Sequence, residues 1–219
     1  CTCCNNCSMH ASLATASLRE RKRMATWEAI HEAAASLALE HDSLQAVTVE
    51  EIAVRANVSP RTFFNYFATK EDAVLGFREP AVSDEALRSF QESTAPLVNR
   101  TADFYFDVVA SSRTLGAGIE RRLAIVARHP ELSIRQNTHF VRAEQLVREA
   151  AVEHLTGWAL PDSVPSFPAL VDLLVLTSSS ALRLASRLPL ADPNATDADR
   201  RAAMHDVLIQ LREVSHHIS

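Results

Sequence analysis

The stretch VTVEEIAVRANVSPRTFFNYFATKEDAVL, residues 47–75, decides the fold because its polar residues stand where helices begin and end. Thr48 and Glu51 form a capping box, in which two side chains satisfy backbone N–H groups at the start of a helix. The buried stripe of this helix consists of Val49, Ile52 and Ala53. The helix should end at Asn57, since asparagine tolerates the left-handed conformation of a sharp helix end. Val58 should then fill the space behind the turn.

A second short helix follows this turn directly. Ser59 can accept a hydrogen bond from its first turn, and Pro60 suits the first helical position, where a missing N–H does no harm. The helix is polar and aromatic, with the residues Arg61, Thr62, Phe63, Phe64, Asn65, Tyr66 and Phe67. The small side chain of Ala53 would let the two helices approach closely. Two short helices joined in this way predict a helix-turn-helix motif.

The next helix start carries an unusual charge. Thr69 can cap this helix, with Asp72 three positions later. Lys70 lies in the first turn, where a cation opposes the helix dipole. A phosphate group at the same helix end would explain a lysine there.

The residues before the motif also predict a helix. Ser17 and Glu20 form another capping box. Apolar residues then recur at helical spacing, namely Met24, Trp27, Ile30, Ala34, Leu37 and Ala38. His41, Asp42 and Ser43 break the pattern. Because no convincing alternating strand pattern occurs along the chain, we predict an all-α protein.

Beyond the motif the chain predicts a helical body. The predicted helices run over Ser83–Glu92, Leu97–Arg113, Ile119–Arg128, Leu132–His154, Phe167–Arg187 and Thr196–His217. Proline and glycine mark the breaks between them. We therefore predict three parts: a disordered or expression-derived tail at residues 1–16, a helix-turn-helix domain at 17–75, and a helical body at 76–219.

From Ile30 to Leu75 the sequence resembles the DNA-binding domain of the TetR family of bacterial transcriptional regulators. The matching stretches are AIHEAAASLALEHD, VTVEEIAVRANVS and PRTFFNYFATKEDAVL. Four positions depart from the family pattern. Asp42 replaces the usual glycine but still tolerates a left-handed turn. Phe64 replaces the usual tyrosine and so lacks its hydroxyl, while Pro60 and Arg61 stand for the more usual lysine and glycine.

The resemblance implies how this domain would bind DNA. Family members place two recognition helices of a dimer in successive major grooves of a palindromic operator. Carried over by position, Arg61, Thr62 and Asn65 would face the groove, with Arg61 suited to guanine. Thr48, Tyr66 and Lys70 would contact phosphates, whereas Phe63 and Phe67 would pack inside the domain. The full expected DNA-binding set is Thr48, Ser59, Pro60, Arg61, Thr62, Phe64, Asn65, Tyr66 and Lys70.

The net charge of −5 first argues against a nucleic-acid partner, but its distribution removes this objection. Residues 1–70 contain seven basic and seven acidic side chains, so the excess negative charge lies beyond them. The basic run Arg19–Arg23 precedes the first apolar stripe. It could reach phosphate or the minor groove, or it could simply be a solvated helix start.

For the body, the resemblance implies an effector pocket and a dimer interface. Bulky or polar residues near the middle of the body are the pocket candidates, namely Phe104, Phe106, His139, Phe140, Arg142 and Trp158. The last two helices carry the dimer candidates, namely Leu170, Leu174, Thr177, Ala181, Leu184, Leu208 and Leu211. Two such helices from each subunit would form a four-helix bundle. Alternatively, both stripes could be buried within one subunit, and the aromatic residues could form core.

The resemblance implies a repressor that binds its operator as a dimer and is released by a small molecule. The alternative is a dimeric DNA-binding protein controlled by a protein partner or by no effector. An enzyme is not expected, because the sequence lacks a phosphate-binding glycine loop, a nucleophile elbow and a zinc-protease motif. We expect no cofactor and no membrane association, since no apolar run approaches the roughly 20 residues of a membrane span.

All four cysteines lie within the first seven residues. The remainder of the chain therefore has no disulfide framework, which suits the reducing cytoplasm. Cys3, Cys4, Cys7 and His10 could bind zinc, but their spacing is too tight for a finger with separated ligand pairs. We instead expect this segment to be a tail without a metal.

Overall fold

The structure is a computed structural model that describes residues 17–112, 118–155, 160, 163–186 and 195–218. The secondary-structure elements in these ranges are helices, without a β-strand, which confirms the all-α fold class. The chain divides into two compact units. The first comprises Cys1–Gly76 with Ala127–His129, and the second Phe77–Val126 with Pro130–Ser219.

The first unit begins with α1, Leu18–Glu40. Ser17 caps it as predicted, since its Oγ accepts a hydrogen bond from the Glu20 N–H at 3.2 Å. One face of α1 is buried, namely Trp27, Ile30, Ala33, Ala34, Ala35, Leu37 and Ala38. This face supplies much of the core of the unit, because burial of apolar surface is the main favourable term in folding.

The exit from α1 differs from the turn suggested by the sequence. His41 leaves the helix in an extended conformation, with φ of −97°. Among the described non-glycine residues only Asn57 has a positive φ, so Asp42 does not adopt the left-handed turn. A 3₁₀-helix at Leu44–Ala46, capped by Ser43, redirects the chain instead.

Three short helices complete the first unit: α2 at Val49–Arg55, α3 at Pro60–Phe64 and α4 at Lys70–Leu75. Helix α1 packs against α2 and α4, and α2 packs against α3. Gly76 ends α4 with a φ of +64°. The left-handed backbone favours glycine, and a β-carbon there would lie 2.8 Å from the imidazole of His31, so any side chain would have to displace this ring.

The second unit contains the longer helices. They are α5 at Asp84–Glu92, α6 at Leu97–Ser111, α7 at Gly118–Arg128, α8 at Leu132–His154, α9 at Phe167–Ala185 and α10 at Asp197–Ile218. Helix α9 packs against α6, α8 and α10, and α6 also packs against α5 and α8. The last two residues of α7, Ala127 and Arg128, belong to the first unit. Of the described helices, only α9 has the length and mean hydropathy, 1.4, that a membrane-spanning helix needs.

Candidate nucleic-acid interface

The turn between α2 and α3 is held by local hydrogen bonds. Asn57 has a φ of 54°, which confirms the left-handed conformation predicted for it. The N–H of Val58 donates to the Ala53 carbonyl at 2.9 Å, across this residue. Val58 itself is half-buried. The turn therefore fixes where α3 begins relative to α2, as a helix-turn-helix motif requires.

The start of α3 is capped as predicted. Ser59 Oγ accepts a hydrogen bond from the Thr62 N–H at 3.0 Å. The same Oγ lies 2.8 Å from the Thr62 hydroxyl, and Pro60 occupies the first helical position. The Ser59 side chain thus stabilises the helix start and is also hydrogen-bonded to the Thr62 hydroxyl.

Two phenylalanines anchor α3 to the first unit. Phe63 is fully buried and Phe67 nearly so. The Phe67 ring centroid lies 6.0 Å from that of Phe63 and 5.3 Å from that of Trp27 in α1. Both residues pack inside the domain, as expected from the sequence. They fix the rotation of α3 and so decide which side chains face outward.

The outer face of α3 carries Arg61, Phe64 and Asn65, all of them exposed. These positions are separated by three and four residues, and such residues lie on one face of a helix. Thr62 and Tyr66 are half-buried at the edge of this face. Among the described residues, the exposed Arg61 side chain has no hydrogen-bond or ion-pair partner, so its guanidinium can contact another molecule.

Two of the expected phosphate contacts have structural partners of their own. Thr48 is exposed, and its Oγ1 caps α2 by accepting from the Glu51 N–H at 3.1 Å. Lys70 is half-buried, and its Nζ donates to the carbonyl oxygens of Leu44 and Val47, each at 2.8 Å. An ammonium group has three N–H donors, so these two hydrogen bonds leave one N–H for a further acceptor.

An ion pair that the sequence does not predict joins α1 to α2. The Nη1 of Arg55 lies 2.5 Å from Oε1 of Glu40. This hydrogen bond raises the pKa of Arg55 and lowers that of Glu40. The two residues are fifteen positions apart, so no local pattern pointed to the pair. Arg55 is therefore engaged with a carboxylate and does not contribute a free cation to the surface.

In the second unit, the expected pocket residues differ in their burial and in their contacts. Phe104, Phe106, His139 and Phe140 are buried. His139 stacks on Phe77 with ring centroids 4.1 Å apart, and its Nε2 lies 2.8 Å from the Ser112 hydroxyl. Arg142 is exposed and pairs with Glu79 at 3.0 Å. Trp158 lies outside the described residues.

The expected dimer residues likewise divide into two groups. Leu174, Ala181 and Leu208 are buried in the core of the second unit, and Leu170 and Thr177 are half-buried. Leu184 and Leu211 are exposed. Further exposed apolar residues accompany them on α9 and α10, namely Leu173, Leu176, Ile209 and Val214.

A cleft of about 370 Å³ lies among α5, α6 and α10, and of the predicted pocket residues Phe104 lines it. Its aromatic wall is formed by Phe90 and Phe104, whose ring centroids are 4.9 Å apart. On the opposite helix, Arg201 donates to Asp103 at 3.0 Å and to Asp107 at 2.5 Å. Burial raises the pKa of Asp107, although the hydrogen bond from Arg201 acts in the opposite direction.

The geometry of the first unit defines a helix-turn-helix DNA-binding domain: a capped α3 held by aromatic residues, with an exposed polar face. Residues 30–75 match the family model described as bacterial regulatory proteins, tetR family. Residues 30–75 are thus similar to the DNA-binding domain of TetR-family transcriptional regulators. Members of this family are DNA-binding regulators rather than enzymes. A search of curated proteins finds no match to the chain.

Proposed function

We propose that this chain is a cytoplasmic repressor that binds a palindromic operator as a homodimer and leaves it when a small molecule binds the second unit. The proposal assigns base contacts to Arg61, Thr62, Phe64 and Asn65. It assigns phosphate contacts to Thr48, Tyr66 and the remaining N–H of Lys70, with Ser59 and Pro60 shaping the helix start. The exposed and unpartnered guanidinium of Arg61 supports this division, since arginine pairs well with guanine in the major groove.

The proposal of a homodimer is carried by one apolar stripe on α10. Met204, Val207 and Leu208 are buried against the same unit. The stripe continues at helical spacing through Leu211 and Val214, but these residues are 45% and 55% exposed. A stripe that runs on beyond the core of its own unit indicates a surface covered by another molecule.

Helix α9 offers a second face for the same interface. Leu173, Leu176, Ser180 and Leu184 are all exposed and recur at helical spacing. They lie opposite the buried residues of α9, which include Val171, Val175, Ser178 and Leu182. Two such helices from each of two subunits would form a four-helix bundle. This face replaces the buried Leu174 and Ala181 as the proposed contact.

The effector is proposed to bind in the cleft among α5, α6 and α10. Its volume of about 370 Å³ falls within the range of small-molecule sites, and it combines stacked aromatic rings with charged groups. The pocket around His139, Phe140 and Trp158 stays a sequence-based alternative.

A route for release is suggested by α7, which contributes to both units. Its last residue, Arg128, donates to the Asp42 carboxylate at 2.6 Å, and His129 Nε2 lies 2.6 Å from the Ala38 carbonyl. An effector could shift these contacts only by binding the two conformations with different affinities.

The test uses a fluorescent palindromic duplex enriched from a random pool by the purified protein. Anisotropy should report saturable binding, two chains per duplex, and a much weaker affinity for a duplex with one half-site. A metabolite library is then screened for compounds that raise the melting temperature and release the duplex. One chain per full duplex would contradict the dimer, and a stabilising compound that leaves the duplex bound would contradict effector release.

A further inference from the structure

One side chain on the outer face of α3 is apolar. Phe64 is 58% exposed, whereas its neighbours Phe63 and Phe67 are buried. Burying a phenylalanine side chain is favourable, so leaving one in water on a short, well-anchored helix is an unfavourable arrangement for the isolated domain. The exposed ring therefore places apolar surface on the same face of α3 as the polar side chains of Arg61 and Asn65.

The position of this ring is fixed. Its centroid lies 5.3 Å from that of Phe63, and the two ring planes are at 87° to each other. Such an edge-to-face contact is a preferred geometry of aromatic pairs. Because Phe63 is fully buried, it holds the Phe64 ring outward, on the same face of α3 as Arg61 and Asn65.

The chemistry of the ring narrows the choice of contact. A phenyl group has no hydrogen-bond donor or acceptor, so it cannot bind a phosphate or the polar edge of a base. The major groove presents one apolar group, the C5 methyl of thymine. We propose that Phe64 packs against a thymine methyl group in each half of the operator. This inference rests on the proposed docking of α3 in the major groove.

The contact would make Phe64 a determinant of sequence specificity. Arg61 lies one helical turn before Phe64, so the thymine should be close to the guanine that Arg61 reads. The two side chains would then select a guanine by hydrogen bonds and a thymine by its methyl group.

The experiment replaces thymidine with deoxyuridine, which removes the methyl group and leaves the base pairing unchanged. The probes are the duplex enriched from a random pool and a series of copies in which one symmetric pair of thymidines is replaced. We expect one pair of positions at which deoxyuridine weakens binding, by about fourfold for each methyl group. The Phe64→Ala variant should bind more weakly and should lose this sensitivity.

Two further variants serve as controls. Phe64→Tyr keeps the ring and should keep the sensitivity to deoxyuridine. Val54→Ala removes apolar surface from α2, where Val54 is 81% exposed, and should leave the deoxyuridine profile unchanged. Circular dichroism and urea unfolding confirm that each variant is folded.

The outcomes separate this inference from the proposed function. If the wild-type protein selects a palindrome but tolerates deoxyuridine everywhere, or if Phe64→Ala keeps the wild-type sensitivity, the thymine contact is wrong and operator binding stands. If the wild-type protein enriches no sequence from the pool, both the operator and the thymine contact are refuted.

Discussion

The ammonium group of Lys70 donates a hydrogen bond to the carbonyl oxygen of Val47 at 2.8 Å, and a second to that of Leu44. The lysine thereby ties the start of α4 to the 3₁₀-helix that precedes the helix-turn-helix motif. A residue expected to bind phosphate thus also has a structural role.

Lys70→Met should destabilise the protein because it leaves two carbonyl groups without their charged donor. The expected loss in the free energy of unfolding is about 1–3 kcal/mol, measured by urea denaturation. Lys22→Met is the matched control, because Lys22 is exposed on α1 and should tolerate the change. Equal stability of the Lys70→Met and wild-type proteins would show that the two hydrogen bonds contribute nothing.

Asn57→Ala should destabilise the turn, because alanine has a steric cost at the φ of 54° that asparagine adopts there. We expect a loss of about 1–2 kcal/mol in the free energy of unfolding. Asn57→Gly is the informative comparison, since glycine adopts positive φ freely and should be much less destabilising. If both variants were equally destabilised, the side chain rather than the backbone conformation would be responsible.

Arg61→Ala and Lys70→Ala should affect DNA binding in different ways. Arg61→Ala should cost about 1–3 kcal/mol on the preferred operator and relax specificity at one base pair. Lys70→Ala should weaken all sequences similarly and reduce the salt dependence of log K by about one unit. The measurement is anisotropy against a panel of single-base operator variants at several salt concentrations. Identical sequence profiles for the two variants would refute the division into base and phosphate contacts.

Leu184→Glu and Leu211→Glu should dissociate the proposed homodimer, because each places a charge in an apolar interface. Sedimentation velocity should show a shift toward the monomer. Ile134→Glu is the control, since Ile134 is 76% exposed on α8, away from the proposed faces. A wild-type protein that sediments as a monomer at all concentrations would count against the interface.

Asp107→Asn should change how stability depends on pH. Burial raises the pKa of Asp107 in the folded protein. The folded protein therefore retains the proton on the Asp107 carboxyl group over a pH range in which the unfolded chain has lost it. Its contribution to stability is thus greatest below the ordinary aspartate pKa of about 3.9 and declines as pH rises through the folded pKa. The stability of Asp107→Asn relative to wild type should rise across this window, as measured by urea denaturation. A constant difference would mean that the pKa of Asp107 is the same in both states.

Much of the first unit could be predicted from sequence because it is specified by local signals. The caps at Ser17, Thr48, Ser59 and Thr69 depend on residues three positions apart, and all four occur in the structure. The left-handed Asn57 likewise follows from the conformational preference of one residue.

Interactions between distant residues were not predictable in the same way. The hydrogen bond from Lys70 to Val47 and the ion pair of Arg55 with Glu40 arise only when helices pack. On α9, apolar residues occur on both faces, so periodicity alone could not separate buried Leu174 from exposed Leu173. The cleft involves residues from helices about a hundred positions apart, such as Asp103 and Arg201.

The central claim is that two copies of this chain read the two halves of a palindromic duplex through α3. The most direct test is selection of duplexes from a random pool by the wild-type protein, with Arg61→Ala selected in parallel. We predict that the wild-type protein enriches an inverted repeat. The Arg61→Ala variant should enrich the same repeat, but without a preference at one base pair in each half-site. Enrichment of no sequence, or of a motif without inverted symmetry, would contradict this claim.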